Sequence, residues 1–245
     1  MIMIQRYFKN LYQRTMIQAY SFARNQIVSE SSGDDFLECG CGIGRDARII
    51  EDSRTGSKFT YTGIEWSSNL VATARENGLD VIQGDLNQVI PVQSESKDCV
   101  YALSVLEHLL MPCHFLRECK RVLRSNGRLV LLTPNISTYF TAALILAGRM
   151  PSSGPHPDSI ELLESQELFH VSENRPISLE GMTPEHRHLV VFSYSVLRRY
   201  LTALGFEIEH ARGYGLYPFP NFMQPLLERI DPYHCHQMVM VCRKK

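Results

Sequence analysis

The chain is poor in several features that mark specialised proteins, and each absence narrows what it can be. No run of apolar residues reaches the ~18 that a membrane-spanning helix needs. Neither sign of charge dominates: 25 Lys and Arg stand against 26 Asp and Glu, for a formal net charge of −1. No Lys/Arg block stands out either, which argues against nucleic acid as the main partner, because phosphate backbones are bound by clustered cations. The seven cysteines are odd in number and contain no CxxC pair, so free thiols and a reducing, cytoplasmic setting are expected. Met1 through Lys9 lack the basic, apolar, then small order of a secretory signal. Repeats and low-complexity tracts are missing. What is left is a chain of 245 residues whose 44% apolar content is ordinary for a globular fold with a sizeable core.

Within this plain background one stretch organises the rest. Phe36 and Leu37 lead to an acid, Glu38, then Gly40, Gly42 and Gly44 at alternate positions, then helix-like Arg45–Ile50. The pattern predicts a strand, a tight glycine turn and a helix start. Glycines there permit positive φ and a close ligand approach, and a helix N-terminus offers unpaired N–H groups. The dinucleotide fingerprint requires a small residue three positions after its second glycine. Arg45 stands there instead, which argues against a nicotinamide-dependent dehydrogenase.

Along the chain, residues 1–32 carry Tyr7, Phe8, Leu11, Tyr12, Met16, Ile17, Tyr20 and Ile27 at roughly helical spacing, predicting one or two leading amphipathic helices. Strands are expected at 58–66, 80–83, 98–103 and 128–133. Helices are expected at 67–77 and at 112–124, the latter with Pro112 in its first turn and Asn126-Gly127 at its end. This alternation implies a parallel sheet with helices on both faces. Regularity breaks over 135–192, read as a lid-like insertion. Within it, 139–149 is a mostly apolar helix that either packs normally, covers a greasy acceptor or rests on a membrane surface. A helix at 195–204 and strands at 206–211 and 236–242 close a single domain spanning 1–245.

Further acids and a polar turn stand at the ends of the expected strands. Glu65 follows the second strand, 21 residues after Gly44, beside the glycine turn. A carboxylate there suits neighbouring ribose hydroxyls and so indicates a nucleoside ligand. Trp66, the one tryptophan, sits next to it as either an adenine-stacking face or an ordinary aromatic. Gly84-Asp85-Leu86 follows the third strand, and Ser104-Val105-Leu106-Glu107-His108-Leu109 the fourth. A helix N-cap is the plain reading of Asp85.

With its acid-x-Gly-x-Gly-x-Gly turn (Glu38 through Gly44) and these later segments in order, the chain resembles the class I S-adenosylmethionine-dependent methyltransferases. The resemblance covers roughly 33–134 and 192–245. It implies a Rossmann-like, seven-stranded, mostly parallel sheet with an antiparallel last strand. It also implies S-adenosyl-L-methionine as cofactor, held by Glu38, Gly40, Gly42, Gly44, Glu65, Trp66, Asp85, Leu86 and Ser104. In it Asp85 accepts from the adenine amino group, the Leu86 N–H meets the ring, backbone near Ser104 faces the methionine portion, and Glu38 helps hold its amino group. Leading helices in such proteins often cover the cleft.

A hydroxyl acceptor benefits from a base with a pKa near neutrality, which favours histidine. His108, His186 and His188 are the catalytic candidates, each with an ordinary surface role as the plain alternative. His186-x-His188 also suggests a metal, but no third ligand stands at a convincing spacing, so none is expected. Cys39 and Cys41 read as small buried residues. The expected activity is methyl transfer to a small molecule, sugar or glycan intermediate, with oxygen as the expected acceptor atom. The rivals are a non-catalytic cofactor-binding module and a nucleic-acid methyltransferase, although the latter's Asn-Pro-Pro-Tyr type of motif is lacking after the fourth strand.

Overall fold

The computed structural model describes residues 2–29, 33–54, 59–151, 153–156 and 187–245. Seven strands form one sheet: β1 (Asp35–Cys39), β2 (Thr60–Glu65), β3 (Val81–Gln83), β4 (Lys97–Leu103), β5 (Leu123–Pro134), β6 (Phe206–Tyr214) and β7 (Gln237–Lys244). Their order is β3-β2-β1-β4-β5-β7-β6. The first five pair in parallel, and β7 lies antiparallel between β5 and β6. The order reverses between β1 and β4, the place where open parallel sheets leave a crevice at their carboxyl edge.

The apolar runs of β4, β5 and β7 are buried on both faces, and their alternation sorts the core into two layers. Leu37, Val100, Ala102, Leu129, Leu131, Met238 and Met240 face one side. They pack against α4 (Pro112–Val122), through Phe115, Leu116 and Cys119, and against α6 (Tyr194–Ala203), through Leu197 and Leu201. Phe36, Tyr101, Val130, Leu132, Val239 and Val241 face the other side. There they meet α1 (Ile2–Ile27) through Ala19, Ala23 and Ile27, spaced four apart on one helical stripe. The leader is thus one helix rather than two, and its small alanines let it lie close to the sheet.

The remaining helices are α2 (Arg45–Ser53), α3 (Ser68–Glu76), α5 (Tyr139–Leu146) and α7 (Gln224–Ile230). Several boundaries depart from the sequence expectation: β5 begins at Leu123 rather than 128, β6 runs to Tyr214 rather than 211, and α5 ends at Leu146 rather than 149. α4 ends at Val122, not at Asn126-Gly127, because Leu123 already pairs with Lys97 and the chain enters the sheet at once. Asn126 adopts φ 63 inside this entry instead of capping the helix. The apolar α5 is half packed: Thr141 and Leu144 are buried, while Ile145 and Leu146 stand exposed. Much of the insertion lies outside the described residues. Among those described, no helix is long and apolar enough to cross a membrane.

Candidate functional site

The carboxyl ends of β1 to β4 converge on the glycine turn, and two of its glycines serve different ends. Gly40 has φ 72, and a Cβ there would stand 2.6 Å from Val105 Cγ2, so it lets the turn after β1 close against the turn after β4. Gly42 has φ 54, and a Cβ there would meet nothing within 4 Å. Packing therefore does not require that glycine; its positive φ does, and the space beside it is open.

Glu65 stands where the spacing placed it. Its Oε2 accepts from the Gly42 N–H at 2.8 Å, and its Oε1 accepts from the Ser67 N–H at 3.0 Å. These bonds fix the carboxylate at the lip of the cradle, while a carboxylate's ~four acceptor positions leave room for ligand hydroxyls. Next to it lies a cleft of about 370 Å³ lined by Trp66, Ser67, Ser68, Gln83, Gly84 and Asp85. Trp66 is 57% exposed, a face at the rim with no core role. Asp85 Oδ1 accepts from both the backbone N–H and the side-chain amide of Asn87, at 2.8 and 2.9 Å. No helix follows, so this is a local turn rather than the helix N-cap that was the plain alternative, and it leaves Oδ2 turned to neither bond. The Leu86 side chain is buried, so only its backbone can serve the cleft.

Glu38 lies deeper. It is 4% exposed, and its Oε2 accepts from the hydroxyls of Tyr61 and Tyr101 at 2.7 and 3.3 Å. Burial pushes its carboxyl up to about 8, against the pull of those two hydrogen bonds. A buried carboxyl so poised is one that a cationic ligand group would ionise. Ser104, at φ 58, presents its turn from β4, and its Oγ accepts from Tyr20 of α1 at 3.1 Å. Arg24 of the same helix pairs with Asp46 at the start of α2, its Nε 2.6 Å from the carboxylate. The leader therefore packs on the sheet, one of the two roles that the sequence left open, and also touches the turn after β4 and the start of α2. Cys39 and Cys41 are buried, and burial pushes the Cys41 thiol up to about 12, so Cys41 is no reactive thiolate.

A second group of side chains follows β4. Glu107 is 2% exposed and its Oε2 accepts from the Thr133 hydroxyl at 2.9 Å, while burial raises its carboxyl to about 7. His108 Nδ1 lies 2.9 Å from the carbonyl oxygen of Arg187, and His188 Nδ1 2.5 Å from that of Ser153. The His108 and His188 rings meet edge to face at 5.0 Å, and His156 stacks on His188 at 4.8 Å. The Glu107 carbonyl accepts from the Leu189 and Val190 N–H groups, tying the returning chain to the turn after β4. Burial lowers His188 and nearby His236 to about 4, so both are neutral at ordinary pH.

The fold thus unites His108 with His188, while His186 lies outside the described residues. Sequence reasoning missed Glu107, His156 and His236 as neighbours. Glu107 adjoins a candidate in the chain, but its burial comes from β5 and from residues 187–190, which no local pattern announces.

Comparison with known proteins bears on this geometry. A family described as "Methyltransferase domain" matches residues 37–131, the span from β1 into β5. A protein named "Probable S-adenosylmethionine-dependent methyltransferase" from Mycobacterium tuberculosis is 33% identical over 130 residues, covering 50% of this chain and 46% of that protein. A ubiquinone biosynthesis O-methyltransferase of Xanthomonas oryzae is 31% identical over 163 residues, covering 62% of this chain and 66% of the other. Among solved structures, an S-adenosylmethionine-dependent methyltransferase from Mesorhizobium loti superposes with a TM-score of 0.60 at 17% identity, covering 92% of this chain and 98% of that one. The last likeness concerns the fold alone. The chain spans about half the length of the mycobacterial relative that it matches.

Proposed function

We propose that this chain, which belongs to the class I S-adenosylmethionine-dependent methyltransferase superfamily, transfers a methyl group to oxygen of a small-molecule, sugar or glycan-intermediate acceptor. The observation that carries the reading is the convergence of Glu38, Glu65, Asp85 and Ser104, from the ends of four successive strands, on a glycine turn whose middle glycine faces open space. The residues present fit the cofactor. Gly42 provides the cradle, Glu65 the acceptor for ribose hydroxyls, and Trp66 with Asp85 and the Leu86 backbone the adenine contacts. Glu38 and the Ser104 turn serve the methionine end, where a buried carboxyl matches an ammonium group.

When bound, the cofactor supplies an already activated methyl group on a sulfonium. The protein's part is then to position the acceptor and take its proton. Glu107, His108 and His188 lie after β4, on the side from which an acceptor would approach. Burial leaves Glu107 near neutrality and makes His188 a weak base, so His188 orients the acceptor and Glu107 or His108 receives the proton. The near-balanced charge supports an acceptor of modest size.

The test is incubation with methyl-labelled S-adenosylmethionine and a panel of hydroxylated sugars and aromatics, following label transfer and S-adenosylhomocysteine release. Label on oxygen of an acceptor supports the reading. Tight cofactor binding with no transfer across the panel would favour a non-catalytic cofactor-binding module.

A further inference from the structure

The three side chains Glu107, His108 and His188 carry more than proton transfer. One carboxylate oxygen and one nitrogen from each imidazole lie within 4.8 Å of one another. Bonds of 2.0–2.1 Å at tetrahedral angles would set such atoms ~3.4 Å apart, so side-chain adjustments of about an ångström close the set around one ion. The tautomers fit as well. A carbonyl oxygen only accepts, so the Nδ1 atoms facing the Arg187 and Ser153 carbonyls carry the protons. Each neutral ring then offers Nε2 as a lone-pair nitrogen. A ligating histidine is ordinarily oriented this way, with its other N–H held by a backbone carbonyl.

The carboxylate supplies an independent argument. Glu107 is sunk to 2% exposure between β5 and the returning chain, with the Thr133 hydroxyl as its side-chain hydrogen-bond partner among the described residues. A carboxylate there calls for a compensating cation or a proton. His156 stacks on His188 and so steadies the plane of one ligand.

We propose that Glu107, His108 and His188 form a binding site for a single divalent transition-metal ion of the zinc class. Two imidazoles and a carboxylate leave one coordination position open, as catalytic rather than structural sites do. This rests on the methyl-transfer reading for its use: with the ion bound the three side chains act as its ligands and no longer as the proton acceptor, the open position takes the acceptor's oxygen, and that oxygen's proton passes to solvent as the methyl group is transferred. The ion also staples residues 187–190, where the insertion returns, to the turn after β4. The spacing in sequence, 80 positions between His108 and His188, concealed the site, and the fold closes it.

The experiment is metal binding by the untagged full chain, stripped with a chelator. Zn²⁺ is titrated against a chromophoric competitor, and Co²⁺ is followed by its visible absorption. One equivalent bound at micromolar affinity or tighter, with the absorption bands of a four- or five-coordinate site, is expected. His108→Gln and Glu107→Gln should each weaken it at least tenfold, and His114→Gln on α4 should not. Because a His188 variant also loses the contacts with Ser153 and His156, the second readout is the melting temperature, which Zn²⁺ should raise in the wild type and not in His108→Gln. Stoichiometric binding that survives both ligand substitutions overturns the site, as does no binding at 100-fold excess metal, roughly the excess at which a site should be filled. S-adenosylhomocysteine binding measured on the same samples separates the cases: its persistence without metal binding refutes only the metal site, and its loss refutes the cofactor reading itself.

Discussion

At the scale of single residues, the glycine turn gives the cleanest separation of folding from binding. Gly42→Ala sets an L-residue at φ 54 in open space, a conformational cost of about 1–2 kcal/mol, and projects a methyl group into the cradle. We expect a modest drop in melting temperature and at least a tenfold loss of S-adenosylhomocysteine affinity. Gly40→Ala meets Val105 at 2.6 Å, so its deficit should fall mainly on stability, by about 1–3 kcal/mol more from overpacking. Equal effects of the two in both assays would remove Gly42 from the ligand role.

Glu38 makes a pH prediction. Its carboxyl is raised from 4.5 to about 8 in the folded protein. The stability it contributes is therefore complete below pH ~4.5 and lost as pH rises through about 8, on the order of a few kcal/mol. Glu107 acts in the same direction, and buried His188 and His236 act oppositely, losing stability as pH falls from 6.5 through about 4. Glu38→Gln should flatten the decline between pH 5 and 8 in denaturant titrations. In addition, a cationic methionine end near Glu38 should expel up to one proton on binding at pH 7. Calorimetry in buffers of different ionisation heat checks this, and no proton release would place the ammonium elsewhere. Glu38, Glu65 and Asp85 were legible in the sequence because each ends a strand whose apolar run is itself visible. Glu107 was not, because its burial is made by Thr133 and by residues 187–190.

Among the elements, α1 deserves the most direct test. Its sequence showed an amphipathic stripe but not which face met what. Small Ala19 and Ala23 turn out to face the sheet, while Tyr20 and Arg24 reach Ser104 and Asp46. Tyr20→Phe removes one part-buried hydrogen bond, a loss of about 0.5–1.5 kcal/mol. Because that bond steadies the Ser104 turn, cofactor affinity should fall in step with stability. Unchanged affinity would confine α1 to packing. The end of α4 was misjudged from Asn126-Gly127 because pairing between Leu123 and Lys97 overrides a local stop signal. α5 remains half exposed through Ile145 and Leu146, consistent with an apolar partner but not specific to one.

At the level of the whole molecule, the alternation of apolar runs with helical stretches foresaw a parallel sheet with helices on both faces, while the seven strands and the antiparallel last strand were what the family resemblance implied. The strand order then brings four widely separated segments to one edge. The meeting of His108 with His188 was harder to foresee, since one stands in the turn after β4 and the other near the far end of an insertion. Their meeting depends on tertiary contacts such as those of Leu189 and Val190 with Glu107.

The central claim is the cofactor. Purified protein titrated calorimetrically in parallel with S-adenosylmethionine, S-adenosylhomocysteine and NAD tests it most directly. The account predicts saturable micromolar binding of the first two and no heat from NAD. Binding of NAD in their place, or silence from both sulfur compounds, would contradict it.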